Sequence, residues 1–251
     1  MLPRVIPCLL LREEGLVKTT KFKSPSYVGD PINSVRIFNE FEVDELVFLD
    51  INASAENRKP NFKLLAEIAE ECFMPLAYGG GIKTVEDAQK ILGIGLEKVI
   101  VNSEAHNNPE FITELADKFG SSSVVCSVDV KKNLFGKYEL YSHVNGKKHK
   151  SDLLEWVKKV EEKGAGELLL TSVDREGSWN AFDVNLVEMI SSEVNIPVVA
   201  SGGASSMQDV RMEVNKGASA AALGNMVVYL GEGLGVLVSY PDRTEIEKCL
   251  M

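Results

Sequence analysis

Two glycine turns limit what this chain can fold into more than any other feature. Pro75-Leu76-Ala77-Tyr78-Gly79-Gly80-Gly81-Ile82 and Pro197-Val198-Val199-Ala200-Ser201-Gly202-Gly203-Ala204 each read as a short apolar strand that breaks at a Gly-Gly turn and enters a helix. They lie 122 positions apart, and the same offset carries Glu45-Leu46-Val47-Phe48-Leu49 onto Glu167-Leu168-Leu169-Leu170-Thr171 and Gly95 onto Gly217. The chain is a doubled half. Each half holds about four strand-helix units, too few parallel strands to close alone, whereas eight close into a barrel. The 251 residues are therefore expected to form one domain, residues 1–251, a single (β/α)8 TIM barrel with right-handed connections.

A glycine pair at a strand-to-helix turn lets backbone N–H groups converge on an anion, and the succeeding helix adds its positive N-terminal end. Tight turns need glycine for conformational reasons alone, so one such turn says little. Two of them at one internal repeat, Gly80-Gly81 and Gly202-Gly203, point to two phosphates held at opposite sides of one mouth. Asn102-Ser103, at the end of the fourth expected strand, adds polar groups suited to a phosphate.

Composition excludes several classes. A net charge of −10 argues against nucleic acid as a principal partner, because a phosphate backbone calls for a basic face. No apolar run approaches a membrane span, and Met1-Leu2-Pro3-Arg4 leads directly into a strand, so no membrane association and a cytoplasmic location are expected. Cys8, Cys72, Cys126 and Cys249 have neither disulfide nor metal spacing; Cys8 and Cys126 fall inside apolar strands as buried thiols. No metal and no cofactor are expected, and no cysteine sits in a nucleophile turn that would hydrolyse glutamine.

Along the chain, strands are expected from Val5, Glu45, Leu76, Lys98, Val124, Glu167, Val198 and Ala220, with helices over 32–41, 62–71, 84–92, 109–119, 153–163, 184–192 and 207–215. Residues 12–30 show no helical period and read as a mobile flap carrying Lys18, Lys21 and Lys23. Residues 131–150 read as an excursion containing a β-hairpin, rich in lysine, either a basic rim over the mouth or a solvated surface. Asp50 and Asp129 end the second and fifth strands, the end at which barrels of this kind place their chemistry. For Asp50 the alternative role, N-cap of the next helix, stays open. Arg4, Glu45, Lys98 and Glu167 stand at or just before the starts of strands one, two, four and six, and should meet as a ring of two acids and two bases at the opposite mouth.

These residues resemble the cyclase subunit family of imidazole glycerol phosphate synthase, from Arg4 to about Asn225. The most specific passages are Asp44-Glu45-Leu46-Val47-Phe48-Leu49-Asp50-Ile51, Tyr78-Gly79-Gly80-Gly81-Ile82, Gly164-Ala165-Gly166-Glu167-Leu168-Leu169-Leu170-Thr171-Ser172-Val173-Asp174-Arg175 and Ala200-Ser201-Gly202-Gly203-Ala204. The resemblance implies that a glutaminase (HisH-like) subunit releases ammonia. The ammonia then crosses a floor gate, here Arg4, Glu45, Lys98 and Glu167, and meets a phosphorylated ribulosyl nucleotide above. It assigns phosphate binding to Gly80, Gly81, Asn102, Ser103, Thr171, Gly177, Gly202, Gly203, Gly224 and Asn225. It also assigns acid-base work to two aspartates, of which Asp129 matches the second. The first falls on Leu10, which cannot exchange a proton; Lys18, Asp50 or a water is left to substitute for it.

Further departures are Glu176 in place of aspartate, Trp179-Asn180-Ala181, Asn225-Met226-Val227-Val228, and Leu234 through Pro241. With Cys72-Phe73-Met74-Pro75, the combination resembles a paralogous branch associated with surface-sugar amidation, in which ammonia passes on to a separate sugar amidotransferase. The expectation is an ammonia-conducting subunit with reduced or no cyclase activity. The competing expectations are an active histidine-pathway cyclase and, further off, a barrel isomerase acting on a phosphosugar.

Overall fold

A computed structural model describes residues 2–251. Its strands are β1 (Arg4–Arg12), β2 (Gly15–Thr20), β3 (Lys23–Gly29), β4 (Leu46–Asp50), β5 (Leu76–Gly79), β6 (Lys98–Val101), β7 (Val124–Lys132), β8 (Tyr138–Ser142), β9 (Lys147–Lys148), β10 (Glu167–Ser172), β11 (Val198–Ser201) and β12 (Ala220–Leu223). Its helices are α1 (Pro31–Glu40), α2 (Phe62–Glu71), α3 (Val85–Ile94), α4 (Ser103–Asn107), α5 (Glu110–Phe119), α6 (Leu153–Glu162), α7 (Val184–Ser191), α8 (Met207–Val214) and α9 (Arg243–Leu250).

Eight strands pair in parallel in the order β1-β4-β5-β6-β7-β10-β11-β12, and β12 returns to β1 through Arg4↔Ala220 to Pro7↔Leu223. The (β/α)8 barrel is closed, so no strand of the cylinder presents an unpaired edge. Both faces of each strand are covered, which explains why these segments read as continuous apolar runs rather than alternating ones. Ile6, Cys8, Val47, Ala77, Ile100, Val125, Leu169, Val199, Ala220 and Ala222 fill the lumen. Their strand neighbours, such as Val5, Leu9, Leu46, Phe48, Val99, Cys126 and Leu168, pack outward in the larger layer that includes the helices.

The internal repeat persists in the details of the turns. A β-carbon on Gly80 would stand 2.6 Å from the Asp50 carbonyl oxygen, and one on Gly202 would stand 2.8 Å from that of Ser172. Asp50 and Ser172 are themselves related by the 122-residue offset, so each glycine lets the backbone close against the same point of the neighbouring strand. The helices after the two turns start alike. Thr84 accepts from the Asp87 amide at 3.2 Å in α3, and Ser206 accepts from the Asp209 amide at 3.3 Å in α8, where the reciprocal bond completes a capping box.

Three stretches depart from the sequence reading. Residues 12–30, read as a mobile flap, form the β2–β3 hairpin, which extends the sheet antiparallel to β1 through Leu10↔Val17 and Leu11↔Leu16. Its strands alternate too irregularly, with register shifts at Leu16/Val17 and Lys18/Thr20, to give a clear period-two signal. The short α4 and the C-terminal α9 carry little sequence signal: α4 is one turn long, and α9 buries Ile246 as its sole fully covered apolar side chain. The lysine-rich excursion does contain its hairpin, with β7 running past the barrel rim to pair with β8 through Val130↔Leu140, and β8 with β9.

Glu213, on α8, is 1 % exposed, and its Oε2 has no hydrogen-bond partner among the described residues. Burial, with the charges of Asp183 and Asp209 adding to it, pushes its carboxyl up to about 8. Because the folded value lies above that of the unfolded chain, the neutral acid is accommodated at low pH and stability is lost as pH rises toward 8. Glu213→Gln is therefore expected to raise Tm at pH 8, by on the order of 2 kcal/mol in stability, and to leave it unchanged near pH 4.5. Thermal melts of both proteins at the two pH values check this; an equal gain at both would remove ionisation as the cause.

Candidate functional site

The lower end of the barrel is closed by charge. Arg4 donates through one guanidinium nitrogen to Glu45 and through the other to Glu167, while Lys98 Nζ lies 2.9 Å from both Glu45 Oε1 and Glu167 Oε2. The four side chains alternate in sign around the lumen, in agreement with the sequence reading. Glu45 and Glu167 are buried. Burial alone would lower the Arg4 guanidinium, but its hydrogen bond to Glu167 and the charges of Glu167 and Glu45 outweigh that and hold it above its ordinary range. Above this ring the lumen is lined mainly by hydrocarbon and the Cys8 thiol, which burial raises to about 11 and so keeps neutral, with the Ser127 hydroxyl between Val125 and Asp129 on β7.

At the upper end, one cavity of about 320 Å3 gathers every residue the sequence reading assigned above the floor. Leu10, Lys18, Asp50, Gly80, Gly81, Asn102, Ser103, Asp129, Thr171, Gly177, Gly202, Gly203, Gly224 and Asn225 all line it. The first cradle is formed by Gly80, with φ 124°, and Gly81, with φ 71°, beside the start of α4; the second by Gly202 and Gly203, at 100° and 105°, beside Gly224 and Asn225. Asn102, before α4, and Gly224, before a single 3-10 turn at Asn225–Val227, are again 122 residues apart.

Individual side chains have divided roles. Asn102 gives its amide to Asp129, Nδ2 to Oδ2 2.8 Å, and Asn225 gives its own to the Gly177 carbonyl at 3.0 Å, so both hold the walls of the cavity rather than pointing free amides into it. Lys18, on β2, donates to the Cys8 carbonyl at 2.8 Å, and its Nζ lies where a β-carbon on Gly224 would approach to 2.9 Å. This amine belongs to the second cradle. Burial lowers its pKa, with the charge of the Glu176 carboxylate opposing, and a bound phosphate would supply the missing counter-charge.

Asp50 does not do what its place at a strand end suggested. On β4 the lumen-facing residues are Val47 and Leu49, and Asp50 turns outward. Its carboxylate accepts from the Asn52 and Ala53 amides at 3.1 and 3.0 Å and from both terminal nitrogens of Arg58 at 2.9 and 3.2 Å. A carboxylate committed to four donors anchors the loop after β4 and is withdrawn as a proton-transfer candidate. Arg58 had no sequence signal, because its partner is eight residues away across an irregular loop.

The β2–β3 hairpin is fastened over the mouth by Glu176. Its carboxylate accepts from Thr19 Oγ1 at 2.8 Å and from the Phe22 amide at 2.9 Å, and its carbonyl accepts from the Lys21 amide at 3.0 Å. Trp179 and Ala181, in the same loop, both hold φ of 58°, a conformation that costs on the order of 1 kcal/mol for a side chain with a β-carbon. His143, which sequence reading missed, also faces the cavity, its Nδ1 3.6 Å from Asp129 Oδ2.

Inorganic phosphate is expected to raise the Tm of the wild-type chain by binding the cradles, and Lys18→Met is expected to lose about half of that gain or more, since one of two sites loses its cation. Melts with and without phosphate measure it. A full phosphate response in the variant would detach Lys18 from the cradle.

Among the described residues no helix is long and apolar enough to cross a membrane, and no group of three or more histidine, cysteine or acidic residues is placed to hold a metal. Comparison with known proteins agrees with the geometry. The family model described as "Histidine biosynthesis protein" matches residues 4–233. A Pseudomonas aeruginosa protein provisionally named imidazole glycerol phosphate synthase subunit hisF2 is 51% identical over 245 residues, covering 97% of this chain and 98% of that one. A Vibrio vulnificus protein, provisionally named subunit hisF3, is 45% identical over 249 residues, 98% and 96% of the two chains. The imidazole glycerol phosphate synthase subunit HisF of Alkaliphilus metalliredigens is 42% identical over 229 residues, 91% of each. With a closed barrel, two symmetry-related glycine cradles and this length of match, the chain belongs to the histidine biosynthesis protein family and within it to the relatives of the imidazole glycerol phosphate synthase cyclase subunit.

Proposed function

We propose that this chain is the synthase-side subunit of a glutamine amidotransferase assembly, taking ammonia from a glutaminase docked at the barrel floor and conducting it through the lumen with little or no cyclase activity of its own. The observation that carries the reading is the pairing of an intact floor with an altered ceiling. The ring of Arg4, Glu45, Lys98 and Glu167 is complete and opens onto an apolar lumen suited to a small neutral molecule. At the top, Leu10 stands on β1, four strands around the barrel from Asp129 on β7. Two-sided proton transfer across a bound ligand needs an acid on each wall, and the β1 wall carries Leu10, with the nearby Lys18 amine committed to the Cys8 carbonyl. Loss of one positioned acid-base group costs about 10²- to 10⁴-fold in rate.

The acceptor of the ammonia is, in this proposal, a separate amidotransferase that modifies a sugar of a surface glycan, which leaves the barrel free of any need for ring closure. A second reading, an active cyclase of histidine biosynthesis, draws support from Asp129, held by Asn102, and from the two cradles. The two are separated by incubating the purified chain with ammonium and the phosphoribulosyl nucleotide. The proposal expects no imidazole glycerol phosphate and no rescue of a histidine auxotroph. Rescue would overturn it. Leu10→Asp is expected to gain weak cyclase activity, measured as imidazole glycerol phosphate formed, because the remainder of the site is in place.

A further inference from the structure

The two most exposed large apolar side chains among the described residues stand side by side on the rim of the upper mouth. β7 runs three residues past Asp129, about 10 Å at the rise of a strand, before the chain turns back into β8. The turn is Asn133-Leu134-Phe135-Gly136, and in it Leu134 is 101 % exposed and Phe135 96 %. A single apolar side chain in water is ordinary, but two adjacent ones at the tip of a projecting hairpin make an unpartnered contact surface.

The tip is held in shape. The Asn133 amide donates to the Lys137 carbonyl and the Gly136 amide to the Asn133 carbonyl, both at 2.9 Å, and Asn133 Oδ1 accepts from the Phe135 and Lys137 amides at 2.9 and 3.1 Å. Nearer the barrel, Lys132 Nζ and Tyr138 Oη both reach the Asp183 carboxylate, at 2.8 and 2.7 Å, and the Lys132 amide donates to Asp174 at 2.7 Å. The far side of the excursion is fixed by His149, which stacks on His106 of α4 with ring centroids 3.7 Å apart. A tip already formed loses little conformational freedom when it enters a pocket.

Charge narrows what such a pocket belongs to. Residues 131–150 hold six lysines and one acid, in a chain whose net charge is −10. Lys132 and Lys148 are paired with Asp183 and Glu139, whereas Lys137, Lys147 and Lys150 are exposed and enter no salt bridge among the described residues. The positive excess is therefore local to this hairpin, and the remainder of the chain is strongly acidic. A bilayer or a nucleic acid presents negative charge over a wide front and would be repelled by that remainder. A protein with an acidic patch beside an apolar pocket engages the hairpin alone.

We propose that the β7–β8 tip and its lysines are the docking surface for an acidic protein, the enzyme that takes up the ammonia, which receives Leu134 and Phe135 in an apolar pocket and closes over the upper mouth. The inference rests on the reading that ammonia is passed on to a separate enzyme. It places that enzyme at the end of the barrel opposite the floor ring, so glutaminase and acceptor are bound at the same time.

The probe is the glycan sugar amidotransferase encoded in the same genome, purified, with its binding to this chain followed by calorimetry. The wild type is expected to bind it. Leu134→Ser with Phe135→Ser is expected to weaken binding by about 10- to 100-fold. Lys137→Glu with Lys147→Glu and Lys150→Glu is expected to weaken it and to remove most of its dependence on salt. Both sets lie on exposed positions, so circular dichroism and Tm are expected to stay unchanged. Failure of the wild type to bind, or equal binding by both variants, would overturn the proposal. Binding of phosphatidylglycerol vesicles, single-stranded RNA or a second copy of this chain that the same variants abolish would overturn it too, because each would claim the tip for another occupant. Glutamine-driven amidation of the sugar separates this inference from the reading beneath it. Amidation that requires this chain yet persists undiminished in both variants leaves ammonia delivery standing and removes the docking surface, whereas tip-dependent binding without amidation keeps the surface and removes delivery.

Discussion

The alternating ring of Arg4, Glu45, Lys98 and Glu167 is the constraint on which the rest of the molecule depends. It gathers side chains from β1, β6, β10 and the residue before β4, so it forms only if the barrel closes with the right register. Each member alone would be an unpaired charge at the end of a hydrocarbon lumen. Losing one partner of such a buried set costs about 3–5 kcal/mol, because the others are left uncompensated. Replacing the whole ring by packed apolar side chains would by contrast be tolerated or even stabilising, so stability alone does not account for it.

Above the ring, the two halves are kept unequally. The backbone is symmetric: the same glycine-to-carbonyl approach at Gly80 and Gly202 and the same capped helix start at Thr84 and Ser206 recur on each side. The polar side chains are not. Asp129, Asn102 and His143 stand together on one wall, and Leu10 faces them across four strands. A doubled half can change a side chain in one copy while keeping the glycine turns of both, because the turns depend on main-chain geometry alone.

Two excursions complete the mouth. The β2–β3 hairpin brings Lys18 to the second cradle and is held by Glu176, and the β7–β8 extension brings His143 to Asp129. Both are β-hairpins grown from barrel strands rather than free loops, so the groups they carry are positioned by sheet hydrogen bonds. Strain in the loop after β10, at Trp179 and Ala181, is concentrated next to the same mouth, where surrounding contacts hold it.

The amino-acid sequence by itself determined the architecture, because its signals are local or repeated. The 122-residue offset, the apolar runs of strands buried on both faces, the Gly-Gly turns and the four charges at strand starts are all visible without coordinates, and so is the leucine at position 10. What only the tertiary structure decided is which polar groups are free to act. Asp50 and Asp129 look equivalent at strand ends. Both border the upper cavity, but register turns Asp50 onto Arg58, whereas Asp129 stands beside Asn102 and His143. Neither partner pairing obeys any sequence period, since Arg58 arrives on an irregular loop and His143 on a returning strand. A carboxylate's chemistry depends on what surrounds it in space, and that is fixed only when the barrel has closed.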